Sequence, residues 1–180
     1  KNIGSFFYPA IQSAHILYPT QKYNYPVLVL IGMDQDPFVR LTRDVASKIG
    51  LKKPGDLISK FLPSLSGGGK MSSSDENSAI YTTDTKKQVE KKIKRAFSGG
   101  RETLEEHKKY GGNPDIDPSY LYLKYMFEND DDKLKEIYDN YKSGKMLTGE
   151  LKNYTIEKIN KFLEIHQKKR EKIRIERYFI

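Results

Sequence analysis

The sequence predicts an α/β region followed by an all-α region. One continuous apolar run, Val27 to Ile31, is rich in β-branched residues and leucine, as expected for a strand of a parallel sheet that is covered on both faces. From Thr85 onward, apolar residues recur at helical spacing and helix-capping residues precede each segment. We therefore divide the chain into an α/β domain, residues 1–84, and a helical domain, residues 85–180.

The composition fits a globular protein that binds polyanions. The 180 residues are 37% hydrophobic and 31% charged, the formal net charge is +8, and no apolar run approaches the length of a membrane span. Residues 1–84 carry an excess of two positive charges and residues 85–180 an excess of six. The absence of cysteine excludes disulfides and thiolate metal sites. Since no signal-peptide pattern is present, we expect a cytoplasmic protein without a membrane partner.

The first residues resemble the middle of a domain. The stretch from Phe6 to Ala14 carries many apolar side chains, which a free N-terminus rarely exposes. We therefore expect the chain to be an excised part of a longer protein, with exposed apolar surface near Phe6 and Val27. The tyrosine-rich, polar segment from Pro19 to Pro26 is typical of a loop.

The predicted strand ends at a candidate ligand site. Gly32 and Met33 follow the strand, and Asp36 is a plausible N-cap for a helix that has Pro37 at its first position and continues to Gly50. Ligands of open α/β sheets bind at the carboxyl ends of strands, which places Gln35 at such a position. A simple capping role explains Asp36, whereas the amide of Gln35 has no evident structural task.

A glycine loop lies between this helix and the helical region. Residues 51–55 read as a loop, two short apolar segments lead to Pro63, and Gly67–Gly69 then precede Lys70 and the hydroxyls of Ser72, Ser73 and Ser74. Glycines let backbone N–H groups approach a ligand closely, and a lysine beside short donors suits a polyphosphate. The spacing is not that of a Walker A motif, and a flexible Gly/Ser linker is the alternative interpretation. Ala79–Tyr81 is expected to be extended.

Five helices are predicted after the glycine loop. Thr85 with Gln88, and Thr103 with Glu106, form capping boxes, and the two helices end at Gly99–Gly100 and Gly111–Gly112. The remaining three begin at Asp117-Pro118, after Asp130–Asp132, and at Thr148, the last of them continuing to Ile173. The aromatic residues between Tyr120 and Phe127 are expected to lie in the core.

No metal site or hydrolytic site is evident. The three histidines, His15, His107 and His166, lie far apart without the spacing of metal ligands. The sequence also shows no Ser/His/Asp order and no carboxylate pair suited to hydrolysis. We therefore predict no metal held by the protein alone.

Several separate strings resemble one enzyme family. The segment Lys70–Ser74 resembles the Lys-Met-Ser-Lys-Ser signature of class I aminoacyl-tRNA synthetases, with Ser73 at the second lysine. In order and spacing, the whole chain resembles the tryptophanyl-tRNA synthetases of the eukaryotic and archaeal type. The strings that carry this resemblance are Pro9–Gln12, Asp34–Pro37, Thr42–Ala46, Lys70–Ser74, Phe97–Arg101, Glu105–His107 and Met146–Lys152.

The resemblance implies a fold and a reaction. Residues 1–84 would be the closing part of a Rossmann-like parallel sheet in the catalytic domain, and residues 85–180 a C-terminal helical bundle that binds the anticodon. Such enzymes activate L-tryptophan with ATP to the adenylate and transfer it to tRNA(Trp). ATP with Mg²⁺ would be a substrate, no tightly bound cofactor is implied, and the full-length protein would be a homodimer.

The resemblance also assigns roles to residues. Lys70, Ser72, Ser73 and Ser74 would be catalytic, stabilising and positioning the departing pyrophosphate. The ATP-binding residues would be Gly32, Met33, Gly69, Lys70, Met71 and Ser72. Gln12 and Gln35 would bind the amino acid through uncharged amides.

One departure from the family limits these expectations. The family's other ATP signature, of His-Ile-Gly-His type, is not found in the chain, so we expect this fragment to be inactive alone. Two alternatives remain open: a non-catalytic module that binds tRNA or another RNA, and a tyrosyl-tRNA synthetase, which shares a similar lysine signature.

Overall fold

The computed structural model describes residues 2–69, 71 and 75–174. It divides into two compact units, Lys1–Phe61 and Leu62–Ile180, here called the sheet unit and the helical unit. Among the described residues, no helix is long and apolar enough to cross a membrane.

The sheet unit contains a β-α-β arrangement preceded by a long helix. Helix α1 spans Gly4–Tyr23, strand β1 Leu28–Gly32, helix α2 Asp36–Lys48 and strand β2 Gly55–Ser59, with a single 3₁₀ turn at Met33–Gln35. The two strands are parallel, with Leu28 opposite Gly55 and Gly32 opposite Ser59. This confirms a parallel α/β region in coarse form. A small core of Ile16, Ile31 and Val39 joins α1, β1 and α2.

Helix α1 corrects the prediction of a loop from Pro19 to Pro26. The helix includes Pro19 and runs to Tyr23, and the chain turns at Asn24 in the left-handed region, with φ of 55°. Burial of Leu17 and Thr20 explains the difference, because packing of a helical face outweighs the helix-breaking tendency of one proline. The hydroxyl of Thr20 then donates to the carbonyl of Tyr25 at 2.9 Å and holds the turn.

The strands also differ from expectation. The side chains of Leu28 and Leu30 in β1 are 63% and 78% exposed, so the prediction of a strand covered on both faces is wrong for this structure. The apolar segment after the 51–55 loop was not predicted to be a strand, but it contains β2. The five residues of β2 are too few to show the alternation of apolar and polar side chains that identifies a strand. The predicted exposure near Phe6 is confirmed, since that side chain is 75% exposed.

Asp36 does not cap helix α2. Because the 3₁₀ turn leads directly into the helix, Asp36 lies in the first helical turn, where its carboxylate contacts Arg40 at 2.7 Å. Pro37 occupies the first turn as predicted.

Within the part of the chain that the structure describes, the helical unit is built from five α-helices and two short turns of other helix types. The α-helices are α3, Lys86–Arg95; α4, Leu104–Tyr110; α5, Pro118–Tyr122; α6, Asp131–Lys142; and α7, Thr148–Glu171. A 3₁₀ turn at Pro114–Ile116 precedes α5, and a π-helical turn at Leu123–Phe127 follows it.

The predicted helix starts are mostly correct. Thr85 and Gln88 form the predicted capping box, the hydroxyl of Thr103 accepts the Glu106 N–H at 3.1 Å, and Asp130 accepts the Lys133 N–H at 3.0 Å. Local side-chain chemistry therefore determines these three starts.

Three details at the helix ends and the loop differ. The cap assigned to Thr148 is wrong, because Thr148 lies inside the first turn of α7; Glu150 accepts the N–H of Leu147 at 2.7 Å instead. Helix α7 ends at Glu171, before Ile173, and α3 ends at Arg95, before Gly99. No strand forms at the described residues 79–81, where the chain bends.

Two apolar clusters form the core of the helical unit. The first joins Leu65 before the glycine loop to α3 and α7, through Val89, Ile93 and Ile159. The second lies among α5, α6 and α7 and includes Tyr141. The expected core role is confirmed for Tyr120 and Tyr122, which are buried, but not for Tyr125, which is 42% exposed.

Candidate functional site

Two predicted site residues of the sheet unit lie in direct contact. The amide oxygen Oε1 of Gln35 accepts hydrogen bonds from the Tyr8 hydroxyl at 2.9 Å and from Nε2 of Gln12 at 3.3 Å. Helix α1 supplies Tyr8 and Gln12 four residues apart on one face, and the 3₁₀ turn after β1 supplies Gln35. The structure thus groups Gln12 and Gln35, and adds Tyr8, which the sequence did not single out.

Gln12 presents an unused acceptor. Its Oε1 atom is buried and has no hydrogen-bond partner among the described residues. A buried acceptor without a partner destabilises the fold by about 1–3 kcal/mol. This arrangement is therefore suited to accept an N–H group from a ligand without adding a charge.

A buried hydroxyl pair joins helix α1, which carries Gln12, to helix α2, which begins directly after Gln35. Ser13 and Thr42 lie 2.7 Å apart, and Thr42 also donates to the carbonyl of Phe38 at 2.8 Å. The ring of Phe38 in turn packs edge-on against Tyr8, with centroids 5.3 Å apart. The position of Tyr8 over Gln35 therefore depends on the contact between α1 and α2.

Gly32 and Met33 lie at the carboxyl end of β1, directly before Gln35. A Cβ atom on Gly32 would lie 2.7 Å from Cε1 of the Phe61 ring, so a larger residue there would require that ring to shift. Met33 is 57% exposed. These two predicted ATP-binding residues therefore lie close to Gln35 in the sequence, where the strand passes into the 3₁₀ turn.

The glycine loop adopts a backbone that requires glycine. Gly67, Gly68 and Gly69 all have positive φ, at 83°, 73° and 73°. A Cβ atom on Gly67 would also lie 2.4 Å from Cγ of Phe97, whereas Gly68 and Gly69 face open space. Positive φ at all three positions is a backbone conformation that glycine adopts without strain. The predicted residues Lys70, Ser72, Ser73 and Ser74 lie outside the described residues.

The base of the loop is tied to the helical unit by backbone hydrogen bonds. The N–H of Leu65 donates to the carbonyl of Ser78 at 2.9 Å, and the N–H of Phe97 donates to the carbonyl of Leu65 at 2.7 Å. Leu65 itself is 1% exposed in the first apolar cluster. The segments before and after the loop are therefore held in place.

Met71 anchors the far side of the loop. Its side chain packs against the first apolar cluster, and the Tyr122 hydroxyl contacts its sulfur at 3.9 Å. The side chain of this predicted ATP-binding residue is therefore engaged by the helical core, which leaves its backbone for contact with a ligand.

A buried ion pair fastens the segment that leaves the loop. Nζ of Lys92 lies 2.7 Å from the carboxylate of Asp84, and their side chains are only 9% and 6% exposed. The same lysine donates to the carbonyl of Ala79 at 3.1 Å, and Asp84 accepts the N–H of Tyr81 at 2.9 Å. Helix α3 thus fixes residues 79–84 by side-chain contacts.

A second candidate site lies in the helical unit and was not predicted as a pocket. It has a volume of about 410 Å³ and is formed by the start of α4 and the N-terminal turn of α7. Its lining includes Arg101, Glu102, Thr103, His107, Thr148 and Asn153. The sequence signals were the neighbouring strings around Arg101 and His107 and a distant one around Thr148.

His107 is the most constrained group of this pocket. It is 3% exposed, and its Nε2 atom lies 3.0 Å from the carbonyl of Met146. Its Nδ1 atom is buried without a hydrogen-bond partner among the described residues. The pocket lining therefore carries a guanidinium and a carboxylate, and the imidazole of His107 is buried in its wall.

Polar contacts beneath the pocket keep its lining in place. The carboxylate of Asp117 accepts the N–H groups of Gly99 and Ser119 and the hydroxyl of Tyr141, each at 2.9 Å. Burial, with Asp117 nearby, raises the pKa of Tyr141 so that its hydroxyl stays protonated.

Lys152 of α7 donates to the carbonyl of Ala96 at 2.6 Å, and burial lowers the pKa of its ammonium.

Comparison with known proteins gives a consistent assignment. Residues 1–164 match the family described as tRNA synthetases class I (W and Y). A tryptophan–tRNA ligase of Saccharolobus solfataricus is 52% identical over 173 residues, which are 95% of this chain and 44% of the relative. The human cytoplasmic tryptophan–tRNA ligase is 46% identical over an alignment of 183 positions, which covers 95% of this chain and 38% of the human protein.

Solved structures agree with these relatives. The crystal structure of a tryptophanyl-tRNA synthetase from the archaeon Aeropyrum pernix K1 superposes with a TM-score of 0.86 at 38% identity. That match covers 91% of this chain and 46% of the archaeal one. The chain thus spans less than half the length of the relatives that it matches.

Proposed function

This chain belongs to the class I tRNA synthetases of the tryptophan and tyrosine type, and we propose that the protein containing it is a tryptophan–tRNA ligase. Such an enzyme joins the carboxylate of L-tryptophan to the α-phosphate of ATP, releases pyrophosphate, and then transfers the tryptophanyl group to tRNA(Trp). The pair of touching amides in the sheet unit carries this proposal, because a plain RNA-binding module has no use for it.

Gln12 and Gln35 are proposed to bind tryptophan. The buried Oε1 of Gln12 is available to accept an N–H of the amino acid, and Gln35 is held by Tyr8 and Gln12. Neutral amides suit an amino acid that carries one positive and one negative group near an apolar ring, because they can bind either end without adding charge. The names of both curated relatives support tryptophan over the tyrosine alternative.

The glycine loop is proposed to bind the ATP phosphates. Gly67, Gly68 and Gly69 all have positive φ and carry no side chains. Their backbone N–H groups can therefore approach an anion closely. Lys70, with the hydroxyls of Ser72, Ser73 and Ser74, would stabilise and position the departing pyrophosphate, and Mg²⁺ would enter with the ATP. One oriented donor of this kind lowers a barrier by about 3 kcal/mol. Gly32 and Met33 are proposed to contact the adenosine.

The helical unit is proposed to bind tRNA(Trp). Residues 85–180 carry six excess positive charges, which favours a polyanion. The pocket at Arg101 and His107 adds hydrogen-bonding groups of the kind that bind an unstacked base. We therefore propose that residues 1–84 belong to the catalytic domain and that residues 85–180 form the anticodon-binding domain.

Assembly and location are extensions of the same proposal. The full-length protein is proposed to be a homodimer and, in line with the name of the human relative, to act in the cytoplasm. This chain alone is proposed to lack activity, because it spans only 44% of the archaeal ligase.

Amino-acid-dependent ATP–pyrophosphate exchange tests the proposal. The assay compares tryptophan with tyrosine, in this chain and in a longer protein with the upstream region restored. We expect exchange with tryptophan in the longer protein only. Exchange with tyrosine would establish the alternative synthetase, exchange by the short chain would overturn the claim that it is incomplete, and RNA binding without any exchange would favour the non-catalytic module.

A further inference from the structure

Phe97 lies against the glycine loop from a different part of the chain. It follows helix α3, 30 residues after Gly67, and its ring covers the Cα atom of that glycine: a Cβ built there would lie 2.4, 2.7 and 2.8 Å from Cγ, Cβ and Cδ1 of Phe97. The backbone of Phe97 is also hydrogen-bonded to the loop's base, through its N–H and the carbonyl of Leu65 at 2.7 Å. One residue thus contacts the loop by both backbone and side chain.

These contacts are confined to the first of the three glycines. Gly68 and Gly69 have nearly the same φ as Gly67, yet no described atom lies within 4 Å of a Cβ built on either of them. The ring of Phe97 therefore restrains Gly67, whereas among the described residues no side chain lies against the Cα of Gly68 or Gly69. The carbonyl of Gly69 accepts the N–H of Ser64 at 3.4 Å.

Burial of the ring does not explain this arrangement. Phe97 is 42% exposed and is absent from both apolar clusters of the helical unit, so truncating its side chain removes little core packing. An aromatic ring that is half in solvent and rests on a glycine Cα restricts the directions in which the loop can move.

We propose that Phe97 is a positioning residue for the glycine loop, and that its ring holds Gly67 so that the loop meets the β- and γ-phosphates of ATP in the geometry needed for pyrophosphate release. This inference rests on the proposed function. It adds a residue that lies outside the loop and takes no part in the chemistry itself. Small displacements of groups that orient a reacting phosphate reduce rates steeply.

The first test is steady-state ATP–pyrophosphate exchange by the full-length protein with Phe97→Ala and Phe97→Leu. We expect Phe97→Ala to lower kcat by about 10-fold to 100-fold, with the KM for tryptophan changed by less than about 2-fold. Phe97→Leu keeps part of the contact and is expected to lose less. The melting temperature should change by only a few degrees for either variant, because the ring is not part of the core.

A double-mutant cycle separates positioning from a general structural role. Gly67→Ala and Gly68→Ala impose similar backbone strain, but only the first also collides with Phe97. Combining Phe97→Ala with Gly67→Ala should therefore give a smaller loss of kcat than the product of the two single losses. The combination with Gly68→Ala should give a loss equal to that product.

The outcomes distinguish this inference from the function on which it rests. If the wild-type full-length protein shows no tryptophan-dependent exchange, both the proposed function and this inference are wrong. If it exchanges and Phe97→Ala leaves kcat unchanged, this inference alone is overturned. Equal coupling of Phe97 to Gly67 and Gly68, or a loss of kcat that only matches a loss of folded protein, would also overturn it.

Discussion

The sheet unit and the helical unit differ in how they treat their apolar side chains. In the sheet unit, Phe6, Leu28 and Leu30 are more than 60% exposed, and a groove of about 760 Å³ runs between α1 and α2. In the helical unit, two apolar clusters contain thirteen buried residues, and buried polar groups such as Asp117 have partners. Only three buried residues form the cluster of the sheet unit.

The comparison shows that the two candidate ligand-binding regions, one in each unit, rest on unequal supports. The glycine loop is based on a packed helical core, through Leu65 and Met71. The amide cluster depends on the packing of α1 against α2, through the Ser13–Thr42 hydroxyl pair and the Tyr8–Phe38 ring contact, and on a small core. Free energy from apolar burial scales with the area removed from water, so the helical unit should supply most of the stability of the chain.

Separating the units should have the largest effect. Residues 62–180, made alone, are expected to keep their helical circular dichroism and to unfold cooperatively in urea. Residues 1–61, made alone, should show no cooperative transition, because a chain of this length with so small a core cannot offset the entropy of folding. A cooperative transition in residues 1–61 would contradict the conclusion that the sheet unit is much less stable than the helical unit.

Asp117→Ala should cause the largest loss among single substitutions in the helical unit. Asp117 is 0% exposed, and its removal leaves the N–H groups of Gly99 and Ser119 and the Tyr141 hydroxyl without their acceptor. We expect the free energy of unfolding to fall by about 3–5 kcal/mol in urea titrations. Asp115→Ala, which removes an exposed partner of Tyr138, is the control and should lose less than about 1 kcal/mol.

Lys92→Met should destabilise the exit from the glycine loop. It leaves the carboxylate of Asp84 buried without its cation, which costs about 3 kcal/mol of unfolding free energy. Lys133→Met removes one partner of an exposed pair with Glu136 and should cost less than about 0.5 kcal/mol. Equal losses in the two variants would mean that Lys92 does not hold the segment.

Glu128 should make stability depend on acid pH. Hydrogen bonds from Lys158 and Tyr154 lower its pKa from 4.5 to about 2 in the folded state. A lowered pKa gives stability that is present above about pH 4.5 and is lost as the pH falls through 2. Glu128→Gln should therefore lower the unfolding free energy by about 2 kcal/mol at pH 7 and by almost nothing at pH 2. A difference that is constant with pH would contradict this origin.

Leu30→Thr should have the smallest effect. The side chain is 78% exposed in strand β1, and threonine, which is β-branched, is well suited to a strand. The unfolding free energy of this chain should change by less than about 0.5 kcal/mol. Val39→Ala, at a site that is 1% exposed, is the matched apolar truncation and should lose at least about 1 kcal/mol.

The structural features that the sequence predicted are the local ones. The capping box of Thr85 and Gln88 and the helix start at Thr103 depend on residues that are close in the chain. Pro19 was assigned to a loop because the burial that keeps it in helix α1 comes from tertiary packing. The pocket at His107 could not be predicted because it combines two distant segments, residues 101–107 and 147–153, that no sequence period connects.

The candidate site residues show the same difference between what the sequence predicts and what only the fold reveals. Gln12 and Gln35 could be named from their resemblance to a family, but their hydrogen bond and the part of Tyr8 needed the fold. The contact of Phe97 with Gly67 joins two loops that are 30 residues apart. A phenylalanine that follows a helix does not predict such a contact from the sequence.

Charging of tRNA tests the central claim most directly. The longer protein and this chain are each incubated with ATP, tRNA(Trp) and labelled tryptophan or tyrosine, and the label on the tRNA is counted. The account predicts that the longer protein charges tRNA(Trp) with tryptophan alone and that this chain charges nothing. Charging with tyrosine, or a longer protein that binds tRNA(Trp) without charging it, would contradict the account.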